Sequence, residues 1–325
     1  QISLGSSNTI TLHGKDISTL TSRHFRITPK IDSYIYGTDE DDVLVGDELN
    51  NYIYGSQKTL NRFEDGHDIL DGGSGDDILD GGRHKSSVGG YIIDIYKFDQ
   101  NYGFDRVFNF FAKDIYEGYG GSGYATYEAG IKSDKIEIPN DLVSSAQSLI
   151  DSSVNNPDGW AEISFSGTTI VLDMVTREQL KPDYFFIVPR VSNSVIGTSA
   201  GDVLIGSDGN DKLMGSQKVF DRFEDGSDLI EGGKGDDILI GGPAKSAFGG
   251  YVIDRYRFSE EFGNDLLISF FAEDLADSSV GYANPDGDGA LRSDRLEFNS
   301  SFASTASELI SLFSDNADGW AKLTL

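Results

Sequence analysis

Eight stretches of nine residues limit what this chain can become. Gly37 to Val45 reads GTDEDDVLV, Gly46 to Tyr54 GDELNNYIY, Phe63 to Asp71 FEDGHDILD, and Gly72 to Asp80 GGSGDDILD. A second set reads GTSAGDVLI (197–205), GSDGNDKLM (206–214), FEDGSDLIE (223–231) and GGKGDDILI (232–240). In every one the sixth residue is Asp or Asn and the eighth is Leu or Ile. The apolar runs are too brief for helices and are bounded by glycine, so they predict very short strands joined by tight turns. Glycines at the front let the backbone take φ > 0, so successive carbonyl oxygens can face one point. The sixth residue aims its carboxylate into the same space, and the eighth enters the core.

A ring of carbonyls with a few carboxylates suits calcium, which takes about six to eight hard oxygen ligands. Two successive nines, about 18 residues, then form one turn of a coil that stacks as a parallel β-roll. The expected side-chain ligands are the sixth-position residues Asp42, Asn51, Asp68, Asp77, Asp202, Asp211, Asp228 and Asp237. Backbone ligands are expected around Gly37, Gly46, Gly72, Gly75, Gly197, Gly206, Gly209, Gly232 and Gly235. Asp76 stands at the variable fifth position, which is Gly or Asn in some other nines, and is expected to be replaceable.

The two sets belong to one duplication. GSQKTLNRFEDGHDILDGGSGDDILDGG (55–82) aligns without a gap on GSQKVFDRFEDGSDLIEGGKGDDILIGG (215–242). The same offset pairs GGYIIDIYKF with GGYVIDRYRF, KSDKIEI with RSDRLEF, and PDGWAEI with ADGWAKL. QISLGSSNTITL (1–12) also resembles EISFSGTTIVL (162–172), so residues 1–32 are expected to be the end of an upstream unit. Unit 1 then covers 33–192, with its roll at 37–98 and a β-rich extension at 99–192. Unit 2 covers 193–325, with its roll at 197–258 and a truncated extension at 259–325. Two periods of a longer tandem array are the expectation. Helix-like stretches occur at DLVSSAQSLIDSS, SSFASTASELISLFSD and DISTLTSRHF, the last with Asp16 or Ser18 as its cap. The fold class is mainly β, with parallel β-roll segments, additional strands and short helices, duplicated in tandem.

On these motifs the chain resembles the RTX family, secreted bacterial proteins with haemolysin-type calcium-binding repeats. The resemblance extends to GGYIIDIYKF, YGFDRVFNF and SDKIEI, which are similar to the segment that often follows such repeats. It implies that Asp94 and Asp254 hold the sixth position of one more nine, and that Asp105, Asp265, Asp134 and Asp294 fall where the family keeps acids. It further implies folding around several Ca2+ ions, type I export, and an extracellular or bacterial cell-surface location. Asn51, the replaced fourth glycines at Glu40, Leu49 and Ala200, and the SQKTLNR/SQKVFDR insertion depart from the family pattern.

Composition fits a calcium-dependent fold. With 54 acidic and 26 basic residues the net charge is -28, which disfavours nucleic acid and anionic membranes as partners and calls for counter-ions. The absence of cysteine removes disulfides, thiolate catalysis and cysteine zinc sites. No apolar run is long enough to span a bilayer.

Other constellations read as structure. His13, His24, His67 and His84 are matched 160 residues on by Asp173, Tyr184, Ser227 and Ala244, so no histidine is kept by the repeat and they read as surface residues. No catalytic residue is expected. NPDGDGALRSD (284–294) and the Tyr-rich stretch 117–130 read as loops. The leading expectation is a non-enzymatic calcium-binding structural repeat: an adhesin stalk, surface-layer or filament element that partners neighbouring copies or other surface chains. One alternative is an accessory folding and secretion region of an exported enzyme or toxin. Another is a glycan- or surface-binding module using Trp160 and Trp320.

Overall fold

The structure is a computed structural model that describes residues 28–56, 66–82, 92–112, 133–216, 226–242, 252–259, 261–268, 270 and 293–324. Near the N-terminus it also describes an antiparallel pair, β1 (Ile2–Leu4) and β2 (Asn8–Ile10), and residues 16, 18 and 20. The expected helix over 16–25 therefore lies largely outside the described residues. So do His13, His24, His84, the stretch 117–130 and most of 284–294.

From Ser33 the chain winds into a flattened coil. Its strands are β3 (Ser33–Tyr36), β4 (Val43–Val45), β5 (Asn51–Tyr54), β6 (Ile69–Asp71), β7 (Ile78–Asp80), β8 (Ile95–Lys97), β9 (Gly103–Phe108) and β10 (Lys135–Pro139). Odd strands form one sheet and even strands the other, every adjacent pair parallel. Helix α1 (Ala146–Ser152) follows, its N-terminus capped by Ser145, whose Oγ accepts the Ser148 N–H at 3.1 Å. The strands β11 (Val154–Asn155), β12 (Ala161–Phe165) and β13 (Thr168–Leu172) then meander antiparallel, and β13 returns to lie parallel to β9. β14 (Phe185–Val188) closes unit 1 beside β10.

Unit 2 repeats the coil with β15 (Asn193–Ile196), β16 (Val203–Ile205), β17 (Asp211–Met214), β18 (Leu229–Glu231), β19 (Ile238–Ile240), β20 (Arg255–Phe258), β21 (Leu266–Ile268) and β22 (Arg295–Phe298). Its two sheets are again parallel throughout. α2 (Ala306–Ile310), capped by Thr305, leads to the hairpin β23 (Phe313–Asp315) and β24 (Ala321–Leu323). The register Ile2↔Ile10 in the N-terminal hairpin matches Ile163↔Ile170 in β12–β13, as the resemblance between 1–12 and 162–172 requires.

The register of nines is tested by its eighth residues. Leu44, Ile53, Leu70 and Leu79 all enter the core between the sheets of unit 1, and Leu204, Leu213, Ile230 and Leu239 that of unit 2. Only Leu44 and Leu204, in the outermost turns, keep any exposure, at 8% and 7%. Each enclosed Leu or Ile contributes roughly 1.5–3 kcal/mol of transfer free energy, so a one-residue slip would be heavily penalised.

The insertions share one edge. The long connections β5–β6, β7–β8 and β9–β10 all pass from the first sheet to the second, while the return connections β4–β5, β6–β7 and β8–β9 stay short. This alters the nines that begin at Phe63 and Phe223. Gly55, not Phe63, opens the turn that Asp68 closes, and Gly215 does the same for Asp228, because each insertion splits a turn without displacing its ends.

The two rolls pack on each other through outward side chains. Ile238, Ile240 and Ile268 of unit 2 bury against Ile93 and Val188 of unit 1, with Phe186, Met214 and Leu266 at the margin. Arg190, at the crossing point, holds Asp99 through both terminal nitrogens (2.5 and 2.6 Å) and Asp141 through Nε. Gln147 N–H in α1 donates to Asp318 Oδ1 of unit 2 at 2.9 Å.

Candidate metal centre

All the acids expected as ligands fall into four columns, one along each edge of each roll. Every rung is a backbone N–H of one sixth-position residue donating to the carboxylate of the next. On the insertion edge of unit 1, Asp42 N–H reaches Asp68 Oδ1 (3.0 Å), Asp68 N–H reaches Asp94 (3.0 Å), and Asp94 N–H reaches Asp134 (3.0 Å). On the short edge Asn51 donates to Asp77 (2.7 Å) and Asp77 to Asp105 (2.9 Å). Unit 2 repeats this with Asp202, Asp228, Asp254 and Asp294 on one edge and Asp211, Asp237 and Asp265 on the other. Asp105, Asp134, Asp265 and Asp294, which came from family resemblance alone, continue the columns without a break.

One carboxylate oxygen is thereby used, and the other faces the turn. A β-carbon on Gly55 would overlap Asp68 Oδ2, one on Gly72 would overlap Asp77 Oδ2, and one on Gly232 would overlap Asp237 Oδ2. On the insertion edges the carbonyl oxygen of the next turn's glycine crowds the same space: Gly55 O over Gly37, Gly81 O over Gly55, Gly215 O over Gly197, and Gly241 O over Gly215. Gly206 has Gly232 O and Asp211 Oδ2 above it. The missing side chains of Gly37, Gly55, Gly197, Gly206 and Gly215 thus leave cradles lined by a carboxylate oxygen and a carbonyl oxygen. Gly75 and Gly235 hold φ of 132° and 109° under the turn above, a backbone that other residues rarely adopt. Gly209 is roomier, its nearest neighbour for a β-carbon being Ser192 Oγ at 3.4 Å.

These buried oxygens call for positive charge. The Oδ2 atoms of Asp77, Asp105, Asp228, Asp237 and Asp265 accept no hydrogen bond. Burial pushes Asp77 and Asp265 up to about 7, Asp105 to about 8, and Asp228 and Asp237 to about 6, against amide donations that pull the other way. Among the described residues no three acidic or histidine side chains gather at a point. The remaining ligands must be backbone carbonyls, and the glycine turns supply them. Donors of this kind, all oxygen and only partly charged, suit calcium and offer nothing to a thiophilic metal.

Individual residues differ in detail. Asp42, Asp202 and Asp211 also accept a hydroxyl from the second residue of their own turn: Thr38 (2.9 Å), Thr198 (2.9 Å) and Ser207 (2.8 Å). Asp134 ends its column, and its Oδ2 accepts the Phe111 N–H at 2.7 Å. Asn51 stands in the column with one oxygen left over, since its Oδ1 is buried and accepts no hydrogen bond. Its Nδ2 donates to Asp47 Oδ1 (3.0 Å) and to the Leu49 carbonyl (2.6 Å), which ties the amide across its own turn.

A second ladder runs outside the first. Asp41 Oδ1 accepts His67 N–H (2.8 Å), and His67 Nδ1 accepts Ile93 N–H (2.8 Å). Asn50 Oδ1 accepts Asp76 N–H (3.0 Å), and Asp76 Oδ1 accepts Phe104 N–H (3.0 Å). The fifth-position side chains Asp41, Asn50, His67 and Asp76 thus serve as acceptors between turns, and His67 is a rung in this ladder. Sequence reasoning also missed Gly55, Gly81, Gly215 and Gly241, whose signal was a glycine directly after an apolar triplet. Trp160 and Trp320 are half-buried beside hairpin turns in which Asn156 and Asn316 accept their backbone N–H.

Comparison with known families matches the RTX calcium-binding nonapeptide repeat in four copies, at residues 35–57, 64–83, 192–217 and 224–243. No curated protein matches the chain. Among solved structures, the extracellular lipase LipA from Serratia marcescens aligns with 87% of this chain at 17% identity and a TM-score of 0.19, and the chain spans 34% of that protein. That likeness is too slight to carry fold or activity across. RTX repeat proteins are typically secreted, and among the described residues no helix is long and apolar enough to cross a membrane. The chain carries RTX calcium-binding nonapeptide repeats, two copies in each of two parallel β-rolls.

Proposed function

We propose that this region is a non-enzymatic structural segment of a secreted or cell-surface protein, an adhesin stalk, surface-layer or filament element, that folds and stiffens when calcium enters its turns. The observation that carries the reading is the run of buried carboxylate oxygens without partners along the columns of both units. Without cations these groups repel one another and lack solvation; with calcium they become the fixed points of each turn. Asp77, Asp105, Asp228, Asp237 and Asp265 would hold the ions together with glycine carbonyls, and calcium would supply the compensating charge. The face-to-face packing of the rolls supports a segment that transmits force or sets a spacing, since unit 1 meets unit 2 through an apolar patch and the Gln147–Asp318 hydrogen bond.

The test is a calcium titration of the whole chain after EGTA treatment, followed by far-UV circular dichroism and small-angle X-ray scattering. The expected outcome is an expanded chain with little β-structure in EGTA, and a compact β-rich rod at about millimolar calcium. Identical spectra and dimensions in the two conditions would defeat the proposal.

A further inference from the structure

Along the insertion edge the regular cradle changes at one described turn of each unit, and both changes are filled in the same way. On the insertion edge, the space over Gly37, Gly55, Gly197 and Gly215 is shared by an aspartate Oδ2 and the carbonyl oxygen of the glycine one turn on. Over Gly81 and Gly241 the aspartate oxygen is still there, from Asp94 and Asp254, but no glycine carbonyl is. In unit 1 the following turn begins with Asn109 instead of glycine. The hydroxyl of Tyr96 crowds Gly81 in its place, and the hydroxyl of Tyr256 crowds Gly241.

Core packing does not account for these hydroxyls. Tyr96 and Tyr256 hold the eighth position of GGYIIDIYK and GGYVIDRYR, where the other nines have Leu or Ile, and both are fully buried. Phenylalanine would fill the same space, and a buried phenol needs a partner for its oxygen. In the other turns of this edge the glycine N–H donates to a strand-end carbonyl, as Gly55 does to Asp80 O (2.9 Å) and Gly215 to Ile240 O (2.8 Å). At Gly81 the phenol intervenes: Gly81 N–H donates to Tyr96 Oη (3.1 Å), and Oη reaches Phe108 O only at 3.5 Å. Tyr256 Oη faces the Gly241 N–H in the same way, and no acceptor in the protein takes its own hydrogen.

We propose that the hydroxyl oxygens of Tyr96 and Tyr256 are ligands for calcium at the last turn of each insertion edge, where they replace the glycine carbonyl of the regular repeat. This rests on the calcium reading above and adds to it a neutral side-chain ligand outside the nonapeptide pattern. Each tyrosine thereby ends a column of sites at the point where the glycine repeat gives out.

The test uses the full chain with Tyr96→Phe, Tyr256→Phe and both together, measuring calcium bound per chain and the affinity of each site by calorimetry. A tyrosine-sensitised terbium titration gives an independent signal. Each single substitution is expected to remove one ion or weaken one site by about tenfold or more, and to reduce sensitised emission, with the circular dichroism at saturating calcium unchanged. Tyr256→Phe is decisive even if Tyr96→Phe folds poorly. It loses only the Gly241 N–H contact and no donated hydrogen bond, so a packing role predicts an unchanged or lower calcium requirement, and a ligand role predicts a higher one. Unchanged ion count and affinity in Tyr256→Phe would overturn the proposal. A wild-type chain that takes up no calcium would overturn the calcium reading itself, a result distinguishable from the first.

Discussion

Lowering the pH should stabilise the roll when calcium is absent, the reverse of the usual behaviour of an acidic protein with paired carboxylates. The sign follows from burial. Asp105 titrates at about 8 in the fold, Asp77 and Asp265 at about 7, and Asp228 and Asp237 at about 6, chiefly because burial disfavours their charged forms. All lie above the reference carboxylate value of 3.8. A group raised in the folded state binds its proton more tightly there, so its stabilisation is complete below the unfolded value and is lost as pH rises through the folded one. For Asp105, the most enclosed of these, moving from about pH 8 to about pH 6 gains about 2 kcal/mol at roughly 1.4 kcal/mol per unit. Solvent reaches the others more, and after screening they add about the same again between them. Calcium competes with these protons, so its binding at about pH 6 should release them. Circular dichroism of the calcium-free chain at the two pH values measures the first effect as β-structure gained on acidification, and calorimetry in buffers of different ionisation enthalpy measures the second. Stability in EGTA that rises with pH, or calcium uptake at about pH 6 with no proton release, would refute the reasoning.

Two further substitution pairs test the register and the cradles. Asp77→Ala removes a buried acceptor of the Asn51 amide and an oxygen facing the turn, and should raise the calcium midpoint for folding about tenfold or more. Asp76→Ala removes an exposed acceptor of Phe104 N–H that water can replace, and should shift it less than about twofold; equal shifts in dichroism-monitored titrations would break the register. Gly215→Ala places a β-carbon against Asp228 Oδ2 and Gly241 O and should cost about 2 kcal/mol in calcium-saturated thermal unfolding, whereas Gly209→Ala meets nothing nearer than 3.4 Å and should be close to neutral. Similar losses from both would show that space over the glycine is not what matters.

The sequence was most legible where one physical demand repeated. Leu79 and Asp77 are separable in the sequence because all eight copies keep an apolar eighth residue and seven keep an acidic sixth, and the structure gives them the core and the column. Legibility fell where a demand was met once or by distant residues. Gly55 and Asp68 close the same turn with an insertion between them, and no window of nine contains both. Asn51 reads as a conservative replacement of Asp, yet its Nδ2 donates to Asp47 Oδ1 and the Leu49 carbonyl while its Oδ1 stays buried without a donor, a division of roles that no carboxylate could make. The packing of Ile238 and Ile240 on Val188 was hidden for a different reason: their outward positions look like exposed hydrophobics until a second roll is there to cover them.

The insertion edge joins these strands of reasoning. A parallel roll tolerates long loops only where they leave the strand register intact, and here every long connection leaves from the same edge and returns to a sixth-position aspartate. The N–H to carboxylate rungs span 26 residues between Asp42 and Asp68 and 40 between Asp94 and Asp134, with nearly the same length in each case. What the repeat preserves is thus not loop length but the pairing of an opening glycine with a closing aspartate. Where the glycine is lost, after Phe108, the chain keeps the aspartate and brings a tyrosine hydroxyl to the vacated side of the turn. The ends of the columns, and not their regular middles, are therefore where substitutions should separate ion binding from mere folding.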